Sequence, residues 1–388
     1  LFARLSQAEQ DRVFDPHHAR RIVLATNVAE TSLTVPGIRY VIDAGTARMK
    51  RYSLRSKVEQ LLVEPISQAA ANQRAGRCGR VANGICIRLY DEKDFVSRAR
   101  FTDPEILRSS LAGVILRMKS LHLGAVEDFP FLERPSGRAI ADGYQLLHEL
   151  GAVDETNELT PIGHELAKLP LDPRVARMIL EARRREALDE VLVIASALSV
   201  QDVRDRPLEA QQQADQAHSK FDDEKSEFSG YLKLWKWLDA ARGGQGQAHK
   251  LSNRQYELLL RQNFVSIRRV REWRDIHSQL LTVVTEHQWR INTLPASYEQ
   301  LHLSMLSGLL GNIGCKLESD GASGEYLGAR GIKFYPHPGA HLAKKPGRWI
   351  VAAELVETTR LFGRCIAAIE PQWLEQVGAH LLKKQLLD

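Results

Sequence analysis

Short β-branched apolar runs dominate the first hundred residues or so, and helical spacing of apolar positions replaces them afterwards. RIVL (21–24) and IRYVI (38–42) predict buried strands of an α/β sheet. The stretch between them, TNVAETSLTVPG, is polar and loop-like, with Pro36–Gly37 as a turn signal. TARMKRYS and KVEQLLVE, flanking residues 54–56, predict a basic hairpin over 46–63. QAAANQRAGRCGR (68–80) reads as a helical turn carrying three arginines, and GICIRLY (84–90) as the next strand. These pieces form the back half of a parallel α/β domain, so the chain is expected to begin inside a domain.

From Thr102 the texture changes. TDPEILRSSLAGVILRMKSLHL has a Thr/Asp start, Pro104, and Ile106, Leu107, Leu111, Val114, Ile115 and Met118 at helical spacing. A second helix ends at Gly151, and IGHELAKL (162–169) forms a third after a strand-like wing. This order predicts a winged helix. Residues 171–290 read as all-helical, opened by the Asp172–Pro173 cap signal. AARGGQGQAHK (240–250) is linker-like. After it one long helix is predicted, with Leu260, Phe264, Ile267, Val270, Trp273, Ile276 and Leu280 inward and Arg254, Arg261, Arg268, Arg269, Arg271 and Arg274 on other faces. From Leu301 the glycine-punctuated runs GLLGNIGCKL, GEYLGARGIKFYP, GRWIVAAELVE and RLFGRCIAAI predict a small barrel of the OB type, with a last helix from Pro371. The expected fold is thus multidomain, α/β plus α plus β: a partial RecA-like lobe (1–101), a winged helix (102–170), a helical bundle (171–290) and an OB-like barrel (291–388).

Composition narrows the class. The chain has 388 residues, 44% hydrophobic and 26% charged, and no apolar run reaches the roughly 18–20 residues of a membrane span. No membrane role is expected. The N-terminal stretch is charged where a signal peptide needs an apolar core, and four cysteines without a CxxC pair suit a reduced, cytoplasmic protein. A net charge of +5 biases the surface mildly toward anionic partners.

The sharpest chemistry is the arginine cluster. Gln73, Arg77 and Arg80 stand at i, i+4 and i+7, which a helix aligns on one face, and Gly76 and Gly79 leave room between them. Paired guanidiniums suit a polyphosphate and stabilise charge on a transferring phosphoryl group. A solvated basic helix or phosphate contacts to nucleic acid are the plainer alternatives. In the barrel region Phe334, Tyr335 and Trp349 alternate with Lys333, Lys344, Lys345 and Arg348, the mixture that stacks bases and meets phosphates, or else core aromatics beside a solvated lysine loop. His17, His18, His337 and His341 lack supporting ligands, so no metal site is expected.

QRAGRCGR resembles motif VI of the superfamily 2 helicases, and ATNVAETSLTVPGIRYVIDAG (25–45) resembles motif V of the DEAH-box RNA helicases. LFARLSQAEQDRVFDP resembles the segment before it. LTPIGHELAKLPLDPRVARMIL resembles the family's winged-helix and ratchet domains, and IKFYPHP with RWIVAAELVETTRLFGRCIAAIEPQWL its OB-like domain. The details suit the bacterial members better than the spliceosomal ones. The resemblance implies an ATP-dependent enzyme using ATP with Mg2+, stepping 3′ to 5′ on single-stranded RNA. By its pattern Gln73, Arg77 and Arg80 serve catalysis at the γ-phosphate, and Phe14, Ser32 and Thr34 contact the nucleotide. Thr26 and Asn27 touch the RNA backbone, and the hairpin at 46–63 sits where a duplex splits. Pro36 replaces a commoner Asp, which puts a ribose contact there in doubt, and Cys78 replaces a commoner Ala. Without the family, Phe14 reads as a core residue, Thr26 and Asn27 as turn or cap residues, and Ser32 and Thr34 as loop hydroxyls.

The chain contains no GxxxxGK[ST] and no Asp-Glu-Ala-His. The expectation is a C-terminal piece of a longer helicase that does not hydrolyse ATP alone, the Mg2+ ligands lying in the other lobe. Two rivals stay open at this point: a non-enzymatic RNA-binding adaptor, and a platform docking a ribosomal or other protein partner on the OB-like face.

Overall fold

The computed structural model describes residues 10–16, 19–31, 34–53, 58–243, 251–317 and 324–382. The chain divides into two compact units, one of Leu1–Arg51, Gln60–Ser109 and Pro207–Glu209, the other of Tyr52–Glu59, Ser110–Arg206 and Ala210–Asp388.

In the first unit the short helix α1 (Val28–Thr31) precedes strand β1 (Tyr40–Asp43). Strands β2 (Thr46–Ser53) and β3 (Val58–Pro65) form the expected hairpin, whose turn at 54–57 lies outside the described residues. Helix α2 (Gln68–Ala75) starts at Ser67, whose hydroxyl accepts from the Ala70 N–H at 3.1 Å, a local N-cap. Strand β4 (Ile85–Arg88) then pairs parallel with β1 in the register Tyr40↔Ile85 to Asp43↔Arg88, and α3 (Glu92–Ser97) follows under an Asp91 cap. The strand expected at 21–24 differs: these residues lie outside the described sheets, and Ile22 and Leu24 are more than four-fifths exposed. An apolar run becomes a strand through a paired neighbour, and the described two-stranded sheet consists of β1 and β4.

The second unit carries the remaining layers. Its first part is the winged helix: α4 (Ala112–Ser120), α5 (Gly137–Glu149) and α6 (Pro161–Ala167). The wing is a single bridge, Val153↔Leu159, closed by Asn157 at φ +64° and by Asp154, whose Oδ1 accepts from the N–H groups of Thr156 and Glu158. The helix expected from Thr102 starts later. Residues 105–107 close a separate 3-10 turn, and α4 begins at Ala112.

Helix α7 (Pro173–Arg184) begins where the Asp172–Pro173 pair predicts, with the Asp172 carboxylate accepting from the Arg174 N–H at 2.9 Å. Helix α8 (Leu188–Leu198) opens with Asp189 and Glu190 and is buried throughout from Val191 to Ala197. Of the helices that follow, α9 (Gln211–His218), α10 (Glu227–Ala241), α11 (Asn253–Gln262), α12 (Ile267–Glu286) and α13 (Tyr298–Ser307), it is α10, α12 and α13 that pack on α8, as α7 does. Trp273 of α12 is fully buried against Tyr231 and Trp235, and its indole N–H donates to the Val193 carbonyl and the Ser196 hydroxyl, both at 3.0 Å.

The single long helix expected across 253–280 is therefore two. Asn263 turns its side-chain amide onto the Leu259 carbonyl at 2.8 Å, Phe264 takes φ +53°, and Ser266 caps α12. The break also alters the expected basic face. Arg269 is buried on Asp205 at 2.8 Å, while Arg271 and Arg274 pair with Glu257 and Asp239.

Strands β5 (Ile313–Lys316), β6 (Tyr326–Gly328), β7 (Lys333–Pro336), β8 (Trp349–Glu357) and β9 (Leu361–Ala368) close into a five-stranded barrel. β8, β5, β6 and β7 are joined by antiparallel pairs; β9 pairs antiparallel with β8 and parallel with β7, leaving no edge in the ring. Phe334 fills it together with Tyr326, Ile350 and Ile366. Glycine at 314 and 363 makes the room, since a Cβ there would lie 2.6 and 3.0 Å from the Phe334 ring. Helix α14 (Gln372–Val377) ends the described fold.

The helical layer is locked by a buried ion pair. Glu181 and Arg177 are both under a tenth exposed and meet at 3.0 Å, Arg185 reaches the same carboxylate at 2.8 Å, and Arg177 also donates to the Leu150 carbonyl. Burial acts to raise the Glu181 pKa, but the arginines outweigh it and hold the net value below the ordinary glutamate range. Glu181→Ala leaves Arg177 buried without its counter-charge and should cost about 3–5 kcal/mol, read as a lower denaturant midpoint at pH 7. Because the folded pKa is depressed, the Glu181 contribution is full above about pH 5 and fades as pH falls through the folded value; in Glu181→Gln that part of the acid dependence is lost.

Candidate nucleotide and nucleic-acid sites

The arginine segment is built on a tight turn. Helix α2 ends at Ala75, and the chain continues through i→i−3 bonds from Arg77 N–H to Arg74, Cys78 N–H to Ala75 and Gly79 N–H to Gly76. Gln73 thus sits on the helix, while Arg77 and Arg80 follow on a tighter, 3-10-like path. The i, i+4, i+7 alignment expected of a continuous α-helix does not extend to Arg80. Gln73 and Arg80 are exposed, and their side chains make no hydrogen bond among the described residues. Arg77 is half-buried, and its Nε donates to the Glu30 carbonyl at 2.7 Å.

That anchor joins two of the expected sites. Glu30 belongs to α1, which opens with the Ala29 N–H on the Thr26 carbonyl and the Glu30 N–H on the Asn27 carbonyl. Thr26 and Asn27 are exposed and make the turn. Phe14 is 42% exposed on a single 3-10 turn, Arg12–Phe14, tied by Arg21 to the carbonyls of Val13 and Asp15. Thr34 is exposed in the loop after α1, and Ser32 lies outside the described residues, as do His17 and His18.

Sequence reasoning missed the group that holds this arrangement. Arg74 binds the Glu30 carboxylate at 2.9 Å, the Asp43 carboxylate at 2.7 Å and the Thr46 carbonyl at 3.0 Å. Asp43, buried at the end of β1, also accepts from the Gly45 N–H and the Tyr90 hydroxyl, each at 2.9 Å. Arg98 stacks on the Tyr90 ring at 3.9 Å and donates to the Gly45 carbonyl. Burial pushes the Asp43 pKa up, but the bonds from Gly45, Arg74 and Tyr90 together carry it below the ordinary aspartate value. One signal was available: Asp43 closes the apolar run YVID, where a carboxylate is costly to bury without a partner.

The barrel supplies the other candidates. Lys333 opens β7 and pairs with Glu325 at 3.1 Å, which also accepts from the Tyr335 hydroxyl. Lys344 ends a 3-10 turn, His341–Lys344, and Lys345 follows; both are exposed without a carboxylate partner among the described residues. Of the expected stacking aromatics, Phe334 is core and unavailable to a base, whereas Tyr335 and Trp349 are half-buried.

Four domain families match the chain in order. Residues 1–82 match the helicase conserved C-terminal domain, 144–171 and 172–233 the winged-helix and ratchet-like parts of the helicase associated domain, and 301–381 an oligonucleotide/oligosaccharide-binding fold. Together with the helical layers and closed barrel, they define the C-terminal helicase region with its associated domains. The chain is 53% identical over 99% of its length to the ATP-dependent RNA helicase HrpA of Escherichia coli, and 51% identical to its homologue in Haemophilus influenzae. It is a region of the HrpA type, and it spans 29% of the length of each of these relatives.

Arg74→Ala unpins α2 from β1 and leaves Asp43 buried with fewer donors. The expected loss is about 2–3 kcal/mol, seen as faster amide hydrogen exchange over 68–80. Asp43 stabilises fully above about pH 4, and that contribution fades as pH falls through its depressed folded value; in Asp43→Asn this acid dependence disappears.

Proposed function

We propose that this chain works as the C-terminal part of an ATP-dependent RNA helicase that translocates on single-stranded RNA and remodels RNA or RNA–protein complexes in the cytoplasm. The domains are assigned to 1–101, 102–170, 171–290 and 291–388. The observation that carries the reading is the arginine turn: Gln73 and Arg80 stand open beside an Arg77 anchored to α1, in the segment matched to the helicase C-terminal domain. An adaptor has no use for such a cluster, and the relatives are named as ATP-dependent RNA helicases.

The residues present fit the phosphate end of a nucleotide. Arg77, Arg80 and Gln73 lie within one helix end and the turn after it, where Gly76 and Gly79 add no side chain. ATP supplies the phosphoanhydride whose cleavage drives the cycle. Arg77 and Arg80 meet charge developing on its terminal phosphate, and Gln73 orients the attacking water. Phe14 and the loop hydroxyls of Ser32 and Thr34 contact the rest of the nucleotide. The turn offers no carboxylate for Mg2+, so its ligands belong to the first lobe of the intact enzyme, and the 388 residues alone do not turn over ATP.

Thr26, Asn27, Lys333, Lys344 and Lys345 contact the RNA backbone, so binding is independent of sequence and sensitive to salt. No helix among the described residues is long and apolar enough to cross a membrane.

Two measurements test this. A chimera carrying this chain in place of the matching 29% of the E. coli protein should show RNA-stimulated ATPase activity. Arg80→Ala or Arg77→Ala in it should lower kcat on the order of 10³-fold, with RNA affinity little changed; an undiminished kcat overturns the catalytic assignment. Anisotropy of a short labelled single-stranded RNA titrated with this chain should show affinity falling with salt, and Lys344→Ala/Lys345→Ala should weaken binding and flatten the salt slope by about two.

A further inference from the structure

The lysine loop of the barrel is fastened to the start of α10 through one imidazole. His341 Nε2 lies 2.7 Å from the Asp223 carbonyl oxygen. Its Nδ1 lies 3.4 Å from Asp222 Oδ1 and 3.4 Å from Glu227 Oε1. Every one of these atoms is an acceptor when the carboxylates are ionised. A neutral imidazole has one N–H and would set its remaining lone pair against an oxygen, whereas an imidazolium donates on both sides. Glu227 also accepts from the Ile366 N–H of β9 at 2.7 Å through its other oxygen, so the same carboxylate holds both the barrel wall and the loop. Lys344 and Lys345 follow His341 by one helical turn.

We propose that His341, as its imidazolium, is a positioning residue that fastens the Lys344–Lys345 loop to the N-terminal end of α10, and that RNA affinity falls when this fastening is released. The proposal rests on the reading that these lysines meet RNA. The Glu227 hydrogen bond raises the His341 pKa; burial works the other way and is outweighed by Glu227, Asp223 and Asp222. The charged and titratable groups around it are few. Asp222 and Glu227 face it, Lys233 pairs with the Asp223 carboxylate at 3.6 Å, and Arg204 and His218 act on Asp222. Within the loop, His337 accepts from the Gly339 N–H through Nδ1 and faces Phe362. A raised folded-state value means that the fastening is complete below the ordinary histidine pKa and is lost as pH rises through the folded value. It is therefore tight near pH 6 and loosens as pH rises through the raised folded value.

Two readouts on the whole chain separate this proposal from the reading beneath it. The first is trypsin cleavage at the Lys344–Lys345 bond, which needs no RNA, compared between wild type and His341→Gln at each pH so that the protease's own pH dependence cancels. Cleavage of the variant should exceed wild type about fivefold or more at pH 6, and the excess should shrink toward none as pH rises through the raised His341 value. The second is anisotropy with single-stranded RNA at constant ionic strength over the same range. Wild-type affinity should fall as pH rises, His341→Gln should bind at pH 6 as wild type does at high pH, and Asp222→Asn should move the wild-type midpoint to lower pH. Equal cleavage of wild type and His341→Gln at pH 6 overturns the fastening, whatever RNA does. Faster cleavage with Lys344→Ala/Lys345→Ala binding RNA like wild type keeps the fastening but overturns its role in RNA affinity, and with it the reading that these lysines meet RNA.

Discussion

A guanidinium stays charged at every pH a cell meets, so each one drawn into the fold must find carboxylates or carbonyls on arrival. This constraint organises the molecule. Arg74 is met by Glu30 and Asp43, Arg177 by Glu181, and Arg269 by Asp205. In each case the pair joins elements far apart in sequence or pins a helix in place, so a charge that is costly to bury becomes a geometric tie. The arginines that remain exposed, Arg80 above all, are then read against a background in which partners were supplied wherever the fold needed them.

The arginine turn shows how the two uses cooperate. Arg74 points inward to β1 and α1, while Gln73 and Arg80, flanking it in sequence, point out. The Arg74 bonds hold α2 against β1 with Gln73 on its exposed side, and the half-buried Arg77 ties the following turn to the loop holding Thr26 and Asn27.

Much of this was legible beforehand because it is local. The Asp172–Pro173 start of α7 and the glycine-punctuated barrel strands follow from residue chemistry within a few positions. What was not legible depends on partners distant in sequence. RIVL has strand composition but lies outside the described sheets, and the apolar repeat across Asn263–Ser266 continues through a break made by local side-chain bonds. Phe334 alternates with lysines as a stacking residue would, yet the closure of β7 on β9 turns it into core. In the candidate site the residue types were visible, but the role of Arg74 was not, because Asp43 becomes its partner only when β1 and α2 are packed together.

The join between α10 and the barrel carries a consequence for how the chain is made. Ser226 bridges Ala367, the Ala368 N–H donates to the Lys225 carbonyl, and the Tyr298 hydroxyl donates to the Ala368 carbonyl. The backbone that opens α10 is thus completed by the last strand of the barrel. During synthesis from the N-terminus, the helical layer waits with those polar groups and the neighbouring apolar surface uncovered until β9 emerges. The join is a late, long-range closure in a chain otherwise rich in local contacts. A ribosome that stalls before β9 leaves a bundle already assembled around Trp273 but open along one side, the kind of surface that chaperones hold.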